Sequence, residues 1–349
     1  MMKLKCLILV VMCLVVSNAD ENEKKDHNGD AHDALCELLK AAVGKWGDGG
    51  KHLSGPLQKA LAKTIFGKQS SVETVESLKG KLPVDYDGVV KQRESRGIAC
   101  GEPRNDGGDY NNVHQTRWSG HSAPHDLVCL CTAGEKGWPV NQSETSTDKD
   151  KLCGQDRTAL KAESNKGWDS KNQGEKEEGK EQINATWGEV VKPCLKSGTG
   201  TNLKDALEKF KQKLVNKSDE VYLNRYQLGQ GTPDDYGACT GSEKKGVCVA
   251  YFNSTTTRYP MPWWVDLQNA LPEEEKFQEE KRREEERRKQ QEKERKTNEP
   301  HTEIITPTTN QTEQSNKDKL HEAIRKYNTT SSTPIIPPSS WLLSAAILI

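Results

Sequence analysis

Apolar positions recur at three- and four-residue spacing over residues 31–46: Ala31, Ala34, Leu35, Leu38, Leu39, Ala42, Val43 and Trp46. Such a stripe predicts an amphipathic helix that packs against other helices, and the run Gly47-Asp48-Gly49-Gly50 ends it. Leu53, Leu57, Leu61 and Ile65 continue the helical pattern, with Pro56 placed in a first turn where its missing N–H is no loss. Ser70-Ser71-Val72-Glu73 has capping-box spacing and predicts a short third helix carrying Val72, Val75 and Leu78.

From residue 96 to about 200 this period fades. Glycine, asparagine and charge multiply, and residues 164–182 hold so few apolar side chains that they read as a solvated loop or disordered insertion. Changes there are expected to leave stability alone. Helix returns with Asn202 as N-cap and Leu203, Ala206, Leu207, Phe210 and Leu214 on one face. A second cystine-rich turn region follows, and the folded part closes on residues 260–267. Residues 273–296 are almost wholly Glu, Lys, Arg and Gln, with Phe277 as their one apolar residue. They have no a/d seam for a coiled coil. Acid-first pairs four apart, such as Glu279 with Arg283, support a solvated helix roughly 36 Å long.

The two ends of the chain carry removable signals. Lys3 and Lys5 precede the apolar run 6–16, and Ser17-Asn18-Ala19 offers small residues for cleavage, so residues 1–19 read as a signal peptide. Residues 341–349 are apolar apart from Ser344 and too short to span a bilayer. Small residues, a polar spacer and a short apolar tail fit a glycosylphosphatidylinositol (GPI) signal. Attachment falls at Ser331, with Asn328 and Ser332 as alternatives, and residues 332–349 are removed. The expected organisation is therefore a leader over 1–19, one folded domain over 20–271, a charged helical connector over 272–297 and a Thr-rich disordered tail over 298–331.

Composition narrows the architecture. Charged residues make up 30% and hydrophobic ones 32% of the chain, which favours an elongated helical build over a thick spherical core. A formal net charge of −1 gives no electrostatic case for nucleic acid. Outside the leader there are eight cysteines: Cys36, Cys100, Cys129, Cys131, Cys153, Cys194, Cys239 and Cys248. On a secretory route these read as four disulfides. Cys239 and Cys248 bracket a polar, Gly-containing segment that can turn back on itself, whereas Cys129 and Cys131 reach different partners. Sequons at Asn141, Asn184, Asn216 and Asn253 are glycan acceptors, with two more at Asn310 and Asn328 in the tail.

Candidate chemistry adds little. Gly237-Ala238-Cys239-Thr240-Gly241 imitates a nucleophile elbow, but an oxidised Cys239 is the simpler reading. His121, His125, Cys129 and Cys131 can be drawn as a zinc set, yet their thiols compete poorly with disulfide formation outside the cell. His321-Glu322 begins a zincin motif that Arg325 breaks. No cofactor fingerprint is present, so neither an enzyme nor a bound cofactor or metal is expected.

Taken together these parts resemble a trypanosome variant surface glycoprotein, with the B-type N-terminal domain. The carriers are the early helix 31–46 bearing Cys36, the stretch His125-Asp126-Leu127-Val128-Cys129-Leu130-Cys131, the Cys153-Gly154 pair, the charged connector and the short apolar end. The resemblance implies a mainly α fold: an elongated helical-bundle or antiparallel coiled-coil rod with disulfide-stabilised, loop-rich lobes. It implies a homodimer, hung from the outer leaflet of the plasma membrane by GPI lipid, with residues 96–200 as most of the exposed, membrane-distal lobe. The implied role is a dense protective coat that evades host antibodies by antigenic variation. A GPI-anchored receptor for a host macromolecule on a related scaffold is the alternative. One departure stands out: many members carry a cysteine-rich C-terminal domain, and no cysteine follows Cys248.

Overall fold

Helix α1, Gly29–Trp46, forms because its apolar stripe is continuous and because glycines at its end release the chain. The computed structural model describes residues 25–69, 73–92, 94–104, 115–140, 150–171, 177, 179–198, 201–234, 237–253 and 260–297. The predicted leader, the GPI segment with Ser331, Ser332 and Asn328, and the sequons Asn141 and Asn310 lie outside these residues. Among the described residues helix dominates, and the mainly α expectation holds. None of their helices is long and apolar enough to cross a membrane.

The chain divides into two compact units, residues 1–286 and 287–349, and of the second only the end of one helix is described. In the first unit, α1 packs on α2 (Gly55–Phe66), α5 (Ala123–Cys131) and α8 (Leu203–Gln212). Leu35, Leu38 and Leu39 are fully buried between them. Two short helices, α3 (Val75–Gly80) and α4 (Tyr86–Val90), follow α2. The capping box of α3 is made by Thr74 and Ser77, one turn later than the Ser70–Glu73 spacing suggests. Thr74 is the residue whose backbone is extended while its hydroxyl reaches the third amide, and that geometry fixes the helix start.

Between residues 96 and 200 the structure is more helical than its pattern. All nine residues of α5 are buried, so no polar face exists to produce a period. Helix α6 (Lys180–Thr186) runs through a widened turn at Trp187–Val191 into α7 (Lys192–Cys194). Pro193 lacks an N–H and crowds the carbonyl one turn back, and the widened turn accommodates it.

Strands β1 (Asp26–His27) and β2 (Lys151–Leu152) pair in parallel. What the sequence suggests as a second turn region is instead an antiparallel sheet of β3 (Val215–Asn216), β4 (Arg225–Gln230) and β5 (Val247–Phe252), in that order. β5 reads VCVAYF and is buried throughout, which erases the alternation that normally marks a strand. Gly229 on β4, at φ +93°, lets α5 approach: a Cβ there would meet Leu130 Cδ1 at 2.6 Å.

For the described residues of 164–182, the expected solvated loop or disordered insertion is corrected by two buried side chains. Trp168 is fully buried, its indole donating to Ser95 Oγ at 2.9 Å, and Gln182 donates to the Lys161 carbonyl at 2.7 Å. Helix α9 begins at Trp263, ahead of the charged run, and continues to Thr297 through Pro272. Its early part is seated on the domain: Glu274 accepts the Ser54 amide at 2.8 Å, and Gln278 donates to the His52 carbonyl at 3.0 Å.

Candidate functional site

The stretch 125–131, prominent in the sequence, is the polar centre of the core. Ser122 caps α5 by accepting the His125 amide, and Pro124 occupies the first turn. One residue on, Asp126 is fully buried and collects three donors. Its Oδ1 accepts the Gly120 amide at 3.0 Å, and its Oδ2 accepts the Tyr251 hydroxyl at 2.9 Å and the Trp263 indole at 2.6 Å. This carboxylate thus ties α5 to β5 and to the start of α9. His125 accepts or shares the Tyr86 hydroxyl proton at Nδ1 (2.9 Å) and bonds the Ala99 carbonyl through Nε2 (2.9 Å). A carbonyl only accepts, so Nε2 carries a hydrogen, and burial keeps the ring neutral.

At the other end of α5, Arg96 closes the helix. Its Nη1 donates to the carbonyls of Thr132 and Trp168, both at 2.9 Å, and its Nη2 to that of Cys129 at 2.8 Å. The last carbonyls of a helix have no internal partner, and a cation there also meets the negative end of the helix dipole. The guanidinium lies 5.0 Å from the Trp168 ring centre, which adds a cation–π contact.

Burial governs the protonation of this centre. It lifts the Asp126 carboxyl to about 7, against the pull of its three donors, and pushes Arg96 down to about 9. It lowers His125 to about 3, with the nearby Arg117 charge helping, and lowers His121 likewise. The two classes act oppositely on stability. A raised Asp126 contributes stability present below pH about 4 and lost as pH rises through 7. The depressed histidines contribute stability present above pH about 6.5 and lost as pH falls. No group in this centre is open to a substrate; the arrangement holds a fold.

A family model described as "Trypanosomal VSG domain" matches residues 44–293, well over half of the chain. The chain belongs to this family. The VSG domain here is of the B type. It is also similar to "Variant surface glycoprotein YnAT 1.3" of Trypanosoma congolense, with 24% identity over 219 residues. That match covers 58% of this chain and 46% of the relative, so it spans about half of the relative's length. The family consists of surface coat proteins and not of enzymes.

All eight candidate cysteines are paired, as Cys36–Cys194, Cys100–Cys129, Cys131–Cys153 and Cys239–Cys248. Cys129 and Cys131, two residues apart on α5, thus fasten it to two different segments. Among the described residues two groups each bring three potential metal ligands together, His32 with Cys36 and Cys194, and Cys100 with His125 and Cys129. Their sulfurs are bonded to one another as disulfides, so the thiolates that a soft metal needs are absent. The imitation of a nucleophile elbow is likewise accounted for by the Cys239–Cys248 bridge. His121 is buried beside Gly67 and 6.1 Å from the His125 ring, not beside an open ligand position.

The sequons fall in different settings. Asn184 is exposed on α6, but the Thr186 of its triplet is buried and bonds Thr132 Oγ1 at 3.0 Å. Asn216 is exposed on β3 together with its Ser218. Asn253 is half-buried, and its amide donates to the Asn224 carbonyl at 3.0 Å. A cleft of about 630 Å³ lies between the end of α1 and the start of α3, lined by Trp46, Asp48, Gln58, Glu73 and Glu76. Glu73 and Glu76 are ion-paired with Lys68 and Lys79. Arg96, Asp126, Trp168 and Trp263 organise the core without having been singled out in the sequence as a set. Asp126 lies beside the apolar run 127–131, whereas Trp168 stands in a polar stretch and carried no such signal.

Proposed function

We propose that this chain is a coat glycoprotein of a trypanosome surface, present as the dominant surface species. It is tethered to the outer leaflet through GPI lipid at Ser331, or at the neighbouring Asn328 or Ser332. The observation that carries the reading is the VSG-domain match across residues 44–293. A coat needs a durable scaffold and no active site. Four disulfides and a core whose charged groups are turned inward suit that need. Homodimers packed side by side form the barrier, host antibodies are the selecting partner, and replacing one such sequence by another renews the surface.

The test is made on intact cells. Phosphatidylinositol-specific phospholipase C releases the protein, its last peptide ends between residues 328 and 332, and quantitative mass spectrometry finds it the most abundant surface polypeptide. Residues 341–349 in the mature protein refute the anchor. A scarce protein that co-purifies with a host macromolecule refutes the coat in favour of a receptor.

A further inference from the structure

We infer that Asn216 carries an N-linked glycan whose task is to cover the open edge of the three-stranded sheet. The inference rests on the surface reading above, because a sequon is modified only on the secretory route. β3 is an outer strand of that sheet and, among the described residues, pairs with β4 on one side only. Three large apolar side chains stand exposed on β3 and the turn that follows it: Val215 at 52%, Val221 at 59% and Leu223 at 73%. Among the described residues the exposed large apolar side chains are five in all, so more than half gather on this one hairpin. An open strand edge with apolar flanks is a template for another copy of the same strand. Close-packed identical molecules present identical edges to one another, and the danger grows with crowding. The brevity of β3 and the charge of Lys217 blunt the edge but leave Val221 and Leu223 bare.

Asn216 is the second residue of β3, directly after Val215. Both sequon residues that the modification requires, Asn216 and Ser218, are exposed. The Asn216 Oδ1 accepts the Ser218 amide at 2.8 Å. Asn184 offers the contrast, since Thr186 is held by the core hydrogen bond to Thr132 whether or not a sugar is attached. A glycan is bulky and strongly hydrated. At Asn216 it sits on an outer strand, close in sequence to the apolar turn it shields.

The full chain is secreted from a eukaryotic cell and treated with peptide N-glycosidase in ¹⁸O-labelled water. Labelled aspartate is expected at position 216. Asn216→Gln and Ser218→Ala are each expected to keep the parent melting temperature. Both bind several-fold more 1-anilinonaphthalene-8-sulfonate and associate with rising concentration in light scattering. Adding Val221→Thr and Leu223→Thr to Asn216→Gln returns both readings to the parent level. A bare Asn216 beside an occupied Asn184 or Asn253 overturns the inference and leaves the surface reading standing. So does an Asn216→Gln protein as dispersed and as dark to the dye as its parent. Protection of Val221 and Leu223 by a second copy in a bare protein makes that copy the occupant and overturns it too. A chain bare at every sequon overturns both readings together.

Discussion

Replacing Trp168 by alanine tests the difference between a solvated insertion and an anchored one. The Trp168 side chain is fully buried, and Gly179 closes over it so tightly that an added Cβ would lie 2.6 Å from the Trp168 Cβ. Truncating a buried tryptophan costs about 3–5 kcal/mol through lost transfer energy and the cavity left behind. The Ser95 hydroxyl loses its donor, worth about 1 kcal/mol. Arg96 loses a ring that contributes about 1 kcal/mol more. These effects share neighbours and do not simply add, so a loss of about 5 kcal/mol is expected. A whole domain has only about 5–15 kcal/mol to lose. Urea unfolding with the disulfides intact, followed by far-ultraviolet circular dichroism, measures it. Trp168→Phe keeps most of the volume and loses the indole donor, and about 1–2 kcal/mol is expected. Asn165→Ala, on an exposed neighbour, stays within about 0.5 kcal/mol of the parent. A Trp168→Ala protein within 1 kcal/mol of the parent refutes the anchoring and restores the free loop.

Three further outcomes follow from the same geometry. Leu38→Asp puts a charge at a fully buried position of α1 and is expected to cost roughly 4 kcal/mol or more, read from the same unfolding curves. Asp126→Asn removes a group whose stabilisation is lost as pH rises from about 4 through 7, so the parent's advantage over the variant shrinks across that window; a difference flat in pH rejects the assignment. The Cys36–Cys194 bridge spans 158 residues and Cys239–Cys248 only 9. Loop-closure entropy then predicts losses of about 5 and about 2.5 kcal/mol for the respective double alanine variants, and equal losses count against that account.

The legible parts of the fold were those with one wet face. α1, α2 and α8 each set apolar residues against solvent, so their period of 3.6 survived in the sequence. The Asn202 cap of α8 and the early proline of α2 were readable for the same local reasons. α5 and β5 were not, because burial on every side leaves a plain apolar run that neither period describes. Residues 164–182 misled in the opposite way. Their hydrophilicity is real, since Ser164, Asn165 and Lys166 are exposed, but a single indole decides whether the segment is held. The polar centre was hidden because its members, Arg96, Asp126 and Trp263, lie far apart in the chain and meet only when the fold is complete.

That centre also bears on how such a scaffold tolerates change elsewhere. Most of its long-range bonds end on main-chain carbonyls. Arg96 reaches those of Cys129, Thr132 and Trp168, Asn28 those of Leu130 and Val247, His125 that of Ala99, and Trp187 that of Leu78. A carbonyl is supplied by any residue, so the acceptor side of each bond places no demand on side-chain identity. In these bonds only the donors are constrained: a buried guanidinium, an amide in the left-handed conformation, one imidazole and one indole. The disulfides add constraints of the same economical kind, two residues per long loop closed. A core held in this way concentrates its sequence requirements in a few inward-facing positions. It leaves the exposed faces of α6, α8 and α9 free of any role in holding that centre, which is the physical condition a variable coat has to meet.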